Sequence, residues 1–564
     1  MHIPPAPDNP DIAPESATGF TEKTVVRASR AIIATANPLA TEAGYDIVQQ
    51  GGSAVDAAIA AQMVLGLTEP QSSGIGGGAL LLLYNGTQVV AFDGRETAPA
   101  AATPDRFLDA HGKPLALHDA VIGGHSVGVP GVLKMLDMAH KQYGKLPWAT
   151  LFQPAIRIAE EGFPISRRLH LLLASDQHLR HVEPTRSYFY QADGTPKAIG
   201  TRLPNPDYAH VLKLIGTQGA EAFYRGQLVE DMVQAVRQHT TRPGDLTAAD
   251  FAAYEAKQRR PLQSTYRGYT VYGMPPPSAG GIAVLQILGI LEHFALQQYQ
   301  PLAVDSVHLI AEAERLAYAD RAHYAADSDF VDVPVAGLLD RRYLAARSRL
   351  LSMTQSLGIA PPGEPHYAKA TQFGNSHACE LPSTSHISIV DAQGHALAMT
   401  TSIEAAFGSR IMVNGYLLNN QLTDFSFVPT EYGKPVANCI AARKRPRSAM
   451  APTLVFDQQG QFTMAVGSPG GSAIINYVVQ TLIAMLDWHL DPQQAVSLPH
   501  YGSRNGPTEL EQGRHLDVLV PRLEARGHTV ALIEMTSGLS AILKTAQGYA
   551  GGADPRREGT VQGY

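Results

Sequence analysis

A hairpin pattern with a threonine at its entrance constrains this chain more than any other stretch. Residues 381–427 contain an alternating run at 387–390 and a second apolar run at 396–399. Between them lies Asp-Ala-Gln-Gly at 391–394, a turn that commonly joins two antiparallel strands. The pattern therefore predicts a β-hairpin whose first strand begins at Thr384.

The position of Thr384 suggests a chemical role for this residue. If the chain were cut before Thr384, one residue would carry both a hydroxyl and a free amine. A free α-amine has a pKa of about 8, so part of it is neutral at physiological pH and accepts a proton. Threonine with its own amine is an activated nucleophile. Residues 357–381, rich in Pro, Gly, Ser and His, predict an exposed linker in which such a cut is tolerated.

Composition limits the class of protein and its partners. The chain has 564 residues, of which 45% are hydrophobic and 17% charged, as in globular proteins too large for one small core. Its net charge of −7 argues against nucleic acid as a main partner. The cluster of Arg443, Lys444, Arg445 and Arg447 is interpreted as a solvated loop.

The sequence gives no expectation of membrane insertion. No run of about 18 apolar residues is present, so no membrane span is predicted. Residues 1–20 have neither the basic nor the apolar segment of a signal peptide. Residues 1–30 are predicted to be a flexible leader, and the compartment stays open: cytoplasmic as written, periplasmic or secreted if the N-terminus was trimmed.

No cofactor or metal is expected. A glycine-rich run at 72–78 precedes an apolar strand, whereas a phosphate-binding turn links a strand to a helix. This order argues against a dinucleotide-binding oxidoreductase. Cys379 and Cys439 are too few for a cysteine zinc site or a disulfide scaffold. Two unrelated thiols are the favoured interpretation, and a disulfide requires that the two segments meet.

Two further features suggest a site. Gly470 and Gly471 lie between an apolar strand and a helical run, where successive N–H groups can point at one oxyanion or simply begin the helix. Arg95 follows another short strand; it could bind a carboxylate, although a lone arginine is more often an ion-pair residue. Strands that alternate with helices predict stacked α/β layers.

Four motifs in order resemble the γ-glutamyltranspeptidase (glutathione hydrolase) family, over nearly the whole chain from Ala36 to Gly559. They are Thr-Ser-His-x-Ser at 384–388, Leu-Asn-Asn-Gln-x-x-Asp-Phe at 418–425, Lys-Arg-Pro-x-Ser-x-Met at 444–450 and Gly-Ser-Pro-Gly-Gly at 467–471. The resemblance implies an N-terminal-nucleophile hydrolase, an αββα four-layer sandwich. It also implies that a precursor cuts itself between Ser383 and Thr384 into a large subunit, 31–383 after the leader, and a small subunit, 384–564, intertwined in one globular unit.

The resemblance also implies roles for individual residues. Thr384 is the nucleophile, first on its own preceding peptide and then on the γ-carbonyl of a substrate. Ser402 supports it, and Gly470 and Gly471 are the oxyanion donors. The residues implied in substrate binding are Arg95 and Ser448 for the α-carboxylate, and Gln421, Asp424 and Glu404 for the α-amine. The implied partners are glutathione or other γ-glutamyl compounds, with water or an amino acid or peptide as acceptor.

Three departures from the family pattern suggest a divergent branch that includes cephalosporin acylase-like members. Glu404 stands where many members have Asn, so the pocket is expected to gain negative charge. Ala449 replaces the second of two serines that usually contact the carboxylate. Residues 426–443 differ from a typical lid, which suggests a more open pocket.

Three functions remain as alternatives. The first is a γ-glutamyl hydrolase and transferase, and the second is an acylase for glutaryl side chains. A glutaryl group has no α-amine for Glu404 and Asp424 to bind, which favours the first. The third is a binding protein that never matures, against which the presence of Thr384, Gly470 and Gly471 argues.

Overall fold

Two large antiparallel sheets form the centre of the molecule. The structure is a computed structural model of the uncut chain, and it describes residues 19–366, 373–378 and 380–564. Each of the two sheets has seven strands. The first runs, in spatial order, β1 (Val26–Ala28), β22 (Gly548–Ala553), β21 (Ser540–Thr545), β17 (Phe462–Gly467), β16 (Thr453–Phe456), β9 (Tyr269–Gly273) and β8 (Leu262–Tyr266). The second runs β23 (Thr560–Gly563), β2 (Ile32–Thr35), β10 (Ser383–Val390), β11 (Ala396–Glu404), β3 (Gly78–Tyr84), β4 (Val89–Gly94) and β7 (Lys257–Arg259).

Helices cover the outer face of each sheet. One face of the second sheet buries Ile33, Leu81 and Ile389 against a layer of helices. That layer contains α1 (Pro38–Gln49), α2 (Ala54–Thr68), α4 (Val132–Tyr143), α5 (Gln153–Glu161), α6 (Arg167–Ser175), α8 (Pro206–Gln218) and α9 (Gln227–Arg237). The first sheet packs on the other side against α11 (Gly280–Leu291), α12 (Val304–Tyr324) and α15 (Ile474–Leu486).

The two sheets stack directly on each other. Strands β10 and β11 lie against β17 and β21, and Leu82 and Ala398 share one core with Val466. The layers therefore run helix, sheet, sheet, helix, which confirms the predicted αββα sandwich.

Short elements complete the described part of the chain. The short helices are α3 (Leu117–Val121), α7 (Thr185–Phe189), α10 (Ala248–Ala252), α13 (Val335–Leu338), α14 (Arg341–Ser348), α16 (Pro492–Ser497) and α17 (Val520–Glu524). The small sheets are β5 (Phe163–Pro164) with β6 (Arg202–Leu203), β12 (Met412–Val413) with β13 (Tyr416–Leu417), β14 (Thr430–Glu431) with β15 (Lys434–Pro435), and β18 (Tyr501–Ser503) with β19 (Thr508–Glu511) and β20 (Val530–Ile533). None of the described helices is long and apolar enough to cross a membrane.

The predicted hairpin is present as β10 and β11. Asp391 closes its turn, since its side chain accepts hydrogen bonds from the N–H groups of Gln393 and His395 at 2.9 and 3.0 Å. Gly394 takes a φ of 82°, which favours glycine. At the other end of the hairpin the register shifts between Ser383 and Ser385, so β11 contributes one extra residue opposite Thr384. Such a β-bulge re-aims side chains, here at the start of the strand.

Three expectations about exposed segments are wrong. The predicted leader, 1–30, does not extend to residue 30, because β1 pairs with β22 and Lys23 donates to the carbonyls of Asp554 and Arg557 at 2.6 and 2.7 Å; residues 1–18 lie outside the described residues. The predicted linker, 357–381, is buried at its end, where Glu380 and Leu381 are 5% and 6% exposed.

The third concerns the basic cluster, in which Arg443 is exposed as expected but the other three residues are not. Lys444, Arg445 and Arg447 are buried. Their charges are satisfied within the protein: Lys444 donates to two carbonyls, Arg445 pairs with Asp93 and Arg447 pairs with Glu380. Of the two cysteines, Cys439 is a half-buried free thiol, and Cys379 lies outside the described residues.

Candidate active site

Thr384 is the second residue of β10 and is buried. Its Oγ1 donates a hydrogen bond to Oγ of Ser402, on the neighbouring strand β11, at 3.2 Å. Ser402 Oγ in turn donates to the carbonyl oxygen of Ser383 at 2.8 Å and accepts from the N–H of Glu404 at 2.9 Å. The bulge opposite Thr384 thus connects the predicted nucleophile, through one serine, to the carbonyl that precedes it.

The glycine pair lies where the sequence predicted it, between β17 and α15. Gly470 and Gly471 have φ values of 136° and 56°, which a residue with a Cβ adopts only at a cost. A Cβ on Gly471 would lie 2.5 Å from the carbonyl oxygen of Glu380. Gly471 lines the same cavity as Thr384, while Gly470 is its chain neighbour and does not line that cavity.

A buried ion pair forms the opposite wall. Arg95, directly after β4, pairs with Asp424 and donates to the carbonyl oxygens of Pro446 and Arg447 at 3.2 and 2.8 Å. Burial raises the pKa of Asp424 to about 6, although Arg95 lowers it. In the uncut chain, the residues expected to bind opposite ends of a zwitterion are bound to each other.

Glu404 is the last residue of β11, and its surroundings bear on the negative charge that the sequence leads us to expect. Its Oε1 accepts a hydrogen bond from the N–H of Leu381 at 2.6 Å. Burial and the adjacent Asp424 raise the pKa of Glu404 well above its ordinary value. The negative charge that Glu404 is expected to add to the pocket is therefore disfavoured in the uncut chain, because a second buried carboxylate close by opposes ionisation.

The remaining predicted residues complete the cavity. Gln421 is 1% exposed, and its side-chain amide finds no hydrogen-bond partner among the described residues. Oγ of Ser448 accepts from the N–H of Met450 at 3.1 Å. The structure brings together, around one cavity, the predicted residues Arg95, Thr384, Ser402, Glu404, Gln421, Asp424, Ser448 and Gly471.

Sequence reasoning missed the residues that precede the cut. Glu380 and Leu381 line the same cavity. The Glu380 carboxylate is held by Arg321 and Arg447. Arg321 lies in α12, which the sequence suggested only as core packing, and Arg447 lies in the cluster assigned to solvent. Charge-rich composition was the only signal for either arginine, and it does not distinguish a buried pair from a solvated one.

Comparison with known proteins agrees with the layered fold. The family model described as gamma-glutamyltranspeptidase matches residues 40–564. The chain belongs to the gamma-glutamyltranspeptidase family. This confirms the resemblance carried by the four sequence motifs.

Relatives within the family include both kinds of enzyme that the sequence suggested. The "Glutathione hydrolase proenzyme" of Bacillus subtilis strain 168 is 37% identical over 547 residues, 94% of this chain and 91% of that protein. The "Acylase ACY 1 proenzyme" of Pseudomonas sp. strain SE83 is 34% identical over 558 residues, 97% of this chain and 96% of that protein. The solved structure of a cephalosporin acylase from Bacillus halodurans has a TM-score of 0.84 and 27% identity, covering 98% of this chain and 99% of that chain.

Proposed function

We propose that this gamma-glutamyltranspeptidase family member is a γ-glutamyl hydrolase and transferase that forms an acyl-enzyme on Thr384 after cutting itself between Ser383 and Thr384. The observation that carries the proposal is the hydrogen-bonded series from Thr384 Oγ1 through Ser402 Oγ to the carbonyl oxygen of Ser383. It holds a nucleophilic hydroxyl and a polarised carbonyl on adjacent residues.

Self-cleavage follows from this geometry. Thr384 Oγ1 attacks the carbonyl carbon of Ser383, and Ser402 donates to the carbonyl oxygen as negative charge develops there. The C–N bond breaks, the hydroxyl proton is transferred to the leaving nitrogen, and an ester joins Ser383 to Thr384. Water then hydrolyses the ester and leaves Thr384 with a free α-amine. Residues up to 383 form the large subunit and residues 384–564 the small one.

The same groups then act on a γ-glutamyl amide. The Thr384 amine accepts the proton as Oγ1 attacks the γ-carbonyl. Gly470 and Gly471 supply N–H groups to the tetrahedral oxyanion. The acyl group then passes to water, giving hydrolysis, or to an amino acid or peptide amine, giving transfer.

Recognition of the γ-glutamyl group rests on the cavity wall. A zwitterionic substrate end replaces the contact between Arg95 and Asp424: its carboxylate binds Arg95 and Ser448, and its ammonium binds Asp424, Glu404 and Gln421. Burial of the unpartnered Gln421 amide supports this assignment, because a buried polar group without a hydrogen bond costs roughly 1–3 kcal/mol and a substrate would satisfy it. Fixing both ends places the γ-carbonyl against Thr384.

One observation favours an acylase as the second candidate. Burial raises the pKa of Glu404 well above its ordinary value, which weakens the need for a cation beside this carboxyl. Ala449 also leaves the carboxylate with one hydroxyl donor fewer than two serines would. A glutaryl group, which has a carboxylate and no α-amine, would leave Asp424 without its partner, so the γ-glutamyl substrate remains the first candidate.

A pair of chromogenic substrates tests the proposal. Cut protein should release p-nitroaniline from γ-glutamyl-p-nitroanilide with a higher kcat/KM than from glutaryl-p-nitroanilide. Asp424→Asn keeps the side-chain shape and removes its charge, so it should lower the first kcat/KM by roughly tenfold to a hundredfold and leave the second nearly unchanged. A preference for the glutaryl compound in the wild type would support the acylase, and equal losses on both substrates would show that Asp424 does not bind the ammonium. Cut protein that turns over neither would contradict both.

A further inference from the structure

The chain just before Thr384 occupies the substrate cavity of the uncut protein as a ligand would. Glu380 and Leu381 line the cavity together with Thr384, Arg95 and Asp424. Ser383 donates its N–H to the carbonyl of Leu381 at 3.0 Å, so the segment turns tightly there. Any substrate that reaches Thr384 must therefore displace this segment, which becomes free to leave once the bond after Ser383 is cut.

The backbone nitrogen of Leu381 contacts a group that is proposed to bind the substrate's α-nitrogen. Its N–H donates to Glu404 Oε1 at 2.6 Å, and Glu404 is one of the groups proposed to bind the α-amine. Unlike the amine of a simple γ-glutamyl compound, this nitrogen is acylated, by the carbonyl of Glu380. The segment thus shows how the pocket holds a nitrogen that carries an acyl group.

The acyl group on that nitrogen ends in a buried carboxylate. Glu380 is 5% exposed, and its carboxylate pairs with Arg321 and, at 3.1 Å from Oε1, with Nε of Arg447. Arg447 is fully buried and Arg321 is 8% exposed. Among the described residues, the ion pairs of both arginines end on Glu380.

The two guanidinium groups form a rigid anion site. The Arg321 guanidinium lies over the Tyr318 ring, 5.6 Å from its centroid, and the Tyr318 hydroxyl donates to the carbonyl of Ser472, next to Gly471, at 2.5 Å. The main chain of Arg447 accepts from Arg95. Burial and the neighbouring Arg321 lower the pKa of Arg447 to about 10, against the effect of Glu380. When Glu380 leaves, two buried cations lose their carboxylate, which is costly unless another anion replaces it.

We propose that Arg321 and Arg447 form a second carboxylate site, which binds an acidic acyl group on the α-nitrogen of the donor after the segment ending at Ser383 withdraws. The inference rests on the proposed function and names a substrate class for the same site: γ-glutamyl amides whose α-nitrogen is acylated by a five-carbon chain with a terminal carboxylate.

An acylated α-nitrogen carries no ammonium for Asp424, so Asp424 keeps its contact with Arg95. The uncut chain shows the same arrangement, in which the Leu381 nitrogen donates to Glu404. From the Leu381 nitrogen, the Glu380 carboxylate lies at the fifth carbon. A further γ-linked glutamyl unit places its α-carboxylate at the same carbon. The bond broken remains the γ-amide, so the reaction itself is unchanged.

Matched synthetic donors test this directly. Wild-type cut protein is assayed with γ-glutamyl-p-nitroanilide whose α-nitrogen carries either a glutaryl group or a glutaramoyl group, its neutral amide counterpart of the same length. A charged hydrogen-bonded contact at the arginine pair should make kcat/KM for the glutaryl-capped donor roughly tenfold or more higher. A succinyl cap, one carbon shorter, should lose most of this advantage.

Substitution of the arginines should remove the preference. In Arg447→Met and Arg321→Met the ratio of the two kcat/KM values should fall to about one. Because both donors are measured on one preparation, the ratio does not depend on the fraction that has matured. Glu380→Gln is the control for the departing segment and should keep the wild-type ratio after maturation. A higher ratio in Glu380→Gln would mean that Glu380 stays docked, which would overturn the proposal.

The wild-type measurement needs no variant and separates the two proposals. Turnover of uncapped γ-glutamyl-p-nitroanilide with a glutaryl to glutaramoyl ratio near one would overturn the second carboxylate site and leave the proposed function in place. Failure to turn over either capped donor, while the uncapped one reacts, would overturn it as well, since the pocket would then reject an acylated nitrogen. No turnover of the uncapped donor would contradict the proposed function itself.

Discussion

At the residue scale, Ser402 links the Thr384 hydroxyl to the carbonyl oxygen of Ser383. Ser402→Ala removes the hydroxyl that accepts from Thr384 and donates to Ser383. Loss of a donor to a developing oxyanion typically slows a reaction by roughly a hundredfold or more. We expect self-cleavage to slow by about that factor, measured as the disappearance of the full-length band with time. Ser402→Thr retains the hydroxyl and should mature at nearly the wild-type rate; equal rates for Ala and Thr would contradict this role.

The raised pKa of Asp424 predicts that the preference for γ-glutamyl substrates depends on pH. Its pKa is raised to about 6 by burial in the uncut chain, with Glu380 among the groups that raise it, so withdrawal of Glu380 moves it lower. Below its pKa the carboxyl is neutral and loses its attraction for the substrate ammonium. We therefore expect kcat/KM for γ-glutamyl-p-nitroanilide, divided by that for glutaryl-p-nitroanilide, to fall as the pH drops below about 6, mainly through KM.

The ratio is the informative quantity in that measurement. Protonation of the Thr384 amine affects both substrates and cancels, whereas only the γ-glutamyl substrate carries an ammonium. A ratio that stays constant from pH 7 to pH 4 would show that Asp424 does not bind the ammonium.

The sequence predicts the role of a single residue well when that role does not depend on how deeply the residue is buried. Thr384, Ser402 and Arg95 are found by motif, because covalent chemistry and charge type determine their roles. The raised pKa of Glu404 is not found, since it depends on the depth of the pocket and on the nearby Asp424. Arg447 is predicted to be a solvated charge because the sequence does not show burial, although its side chain is fully buried.

At the scale of elements, the turn between β17 and α15 holds the segment that precedes the cut. Gly471→Ala places a Cβ 2.5 Å from the Glu380 carbonyl oxygen, at a φ of 56°. Overpacking of this kind costs roughly 1–3 kcal/mol, which slows self-cleavage by about tenfold to a hundredfold if it falls on the docked segment. Densitometry of full-length and cut bands measures the effect.

Gly513 offers a matched control for that substitution. Its φ is 74°, and a Cβ there would meet nothing within 4 Å. Gly513→Ala therefore has similar backbone strain without the contact and should mature like the wild type. If both alanine variants matured equally slowly, backbone strain alone would explain the effect.

Periodicity and turn chemistry predict the elements but not their irregularities. The structure contains the predicted hairpin with its Asp-x-x-Gly turn. It also contains the predicted order of a strand, a Gly-Gly pair and a helix. Local residues determine both features. The bulge opposite Thr384 has no local signature, since it arises from how β11 pairs with both β10 and β3. The burial of residues 380 and 381 is set by tertiary contacts with Gly471 and Glu404.

At the scale of the whole molecule, each sheet contains strands from both sides of Thr384. Strand β10 lies between β2, from before the cut, and β11, from after it. In the other sheet, β16 pairs with β9 across the same division. Alternation of strands and helices predicted the layers, while this interleaving required the three-dimensional structure. A cut after Ser383 should therefore leave two fragments held together by the sheets and their shared cores.

Intact mass under denaturing conditions, after native size-exclusion chromatography, tests the central claim most directly. Wild-type protein should elute as one species and then separate into two fragments, one ending at Ser383 and the other beginning at Thr384. Thr384→Ala should give a single full-length mass. A wild-type chain that remains uncut yet hydrolyses γ-glutamyl-p-nitroanilide, or a Thr384→Ala variant cut at the same bond, would contradict the account.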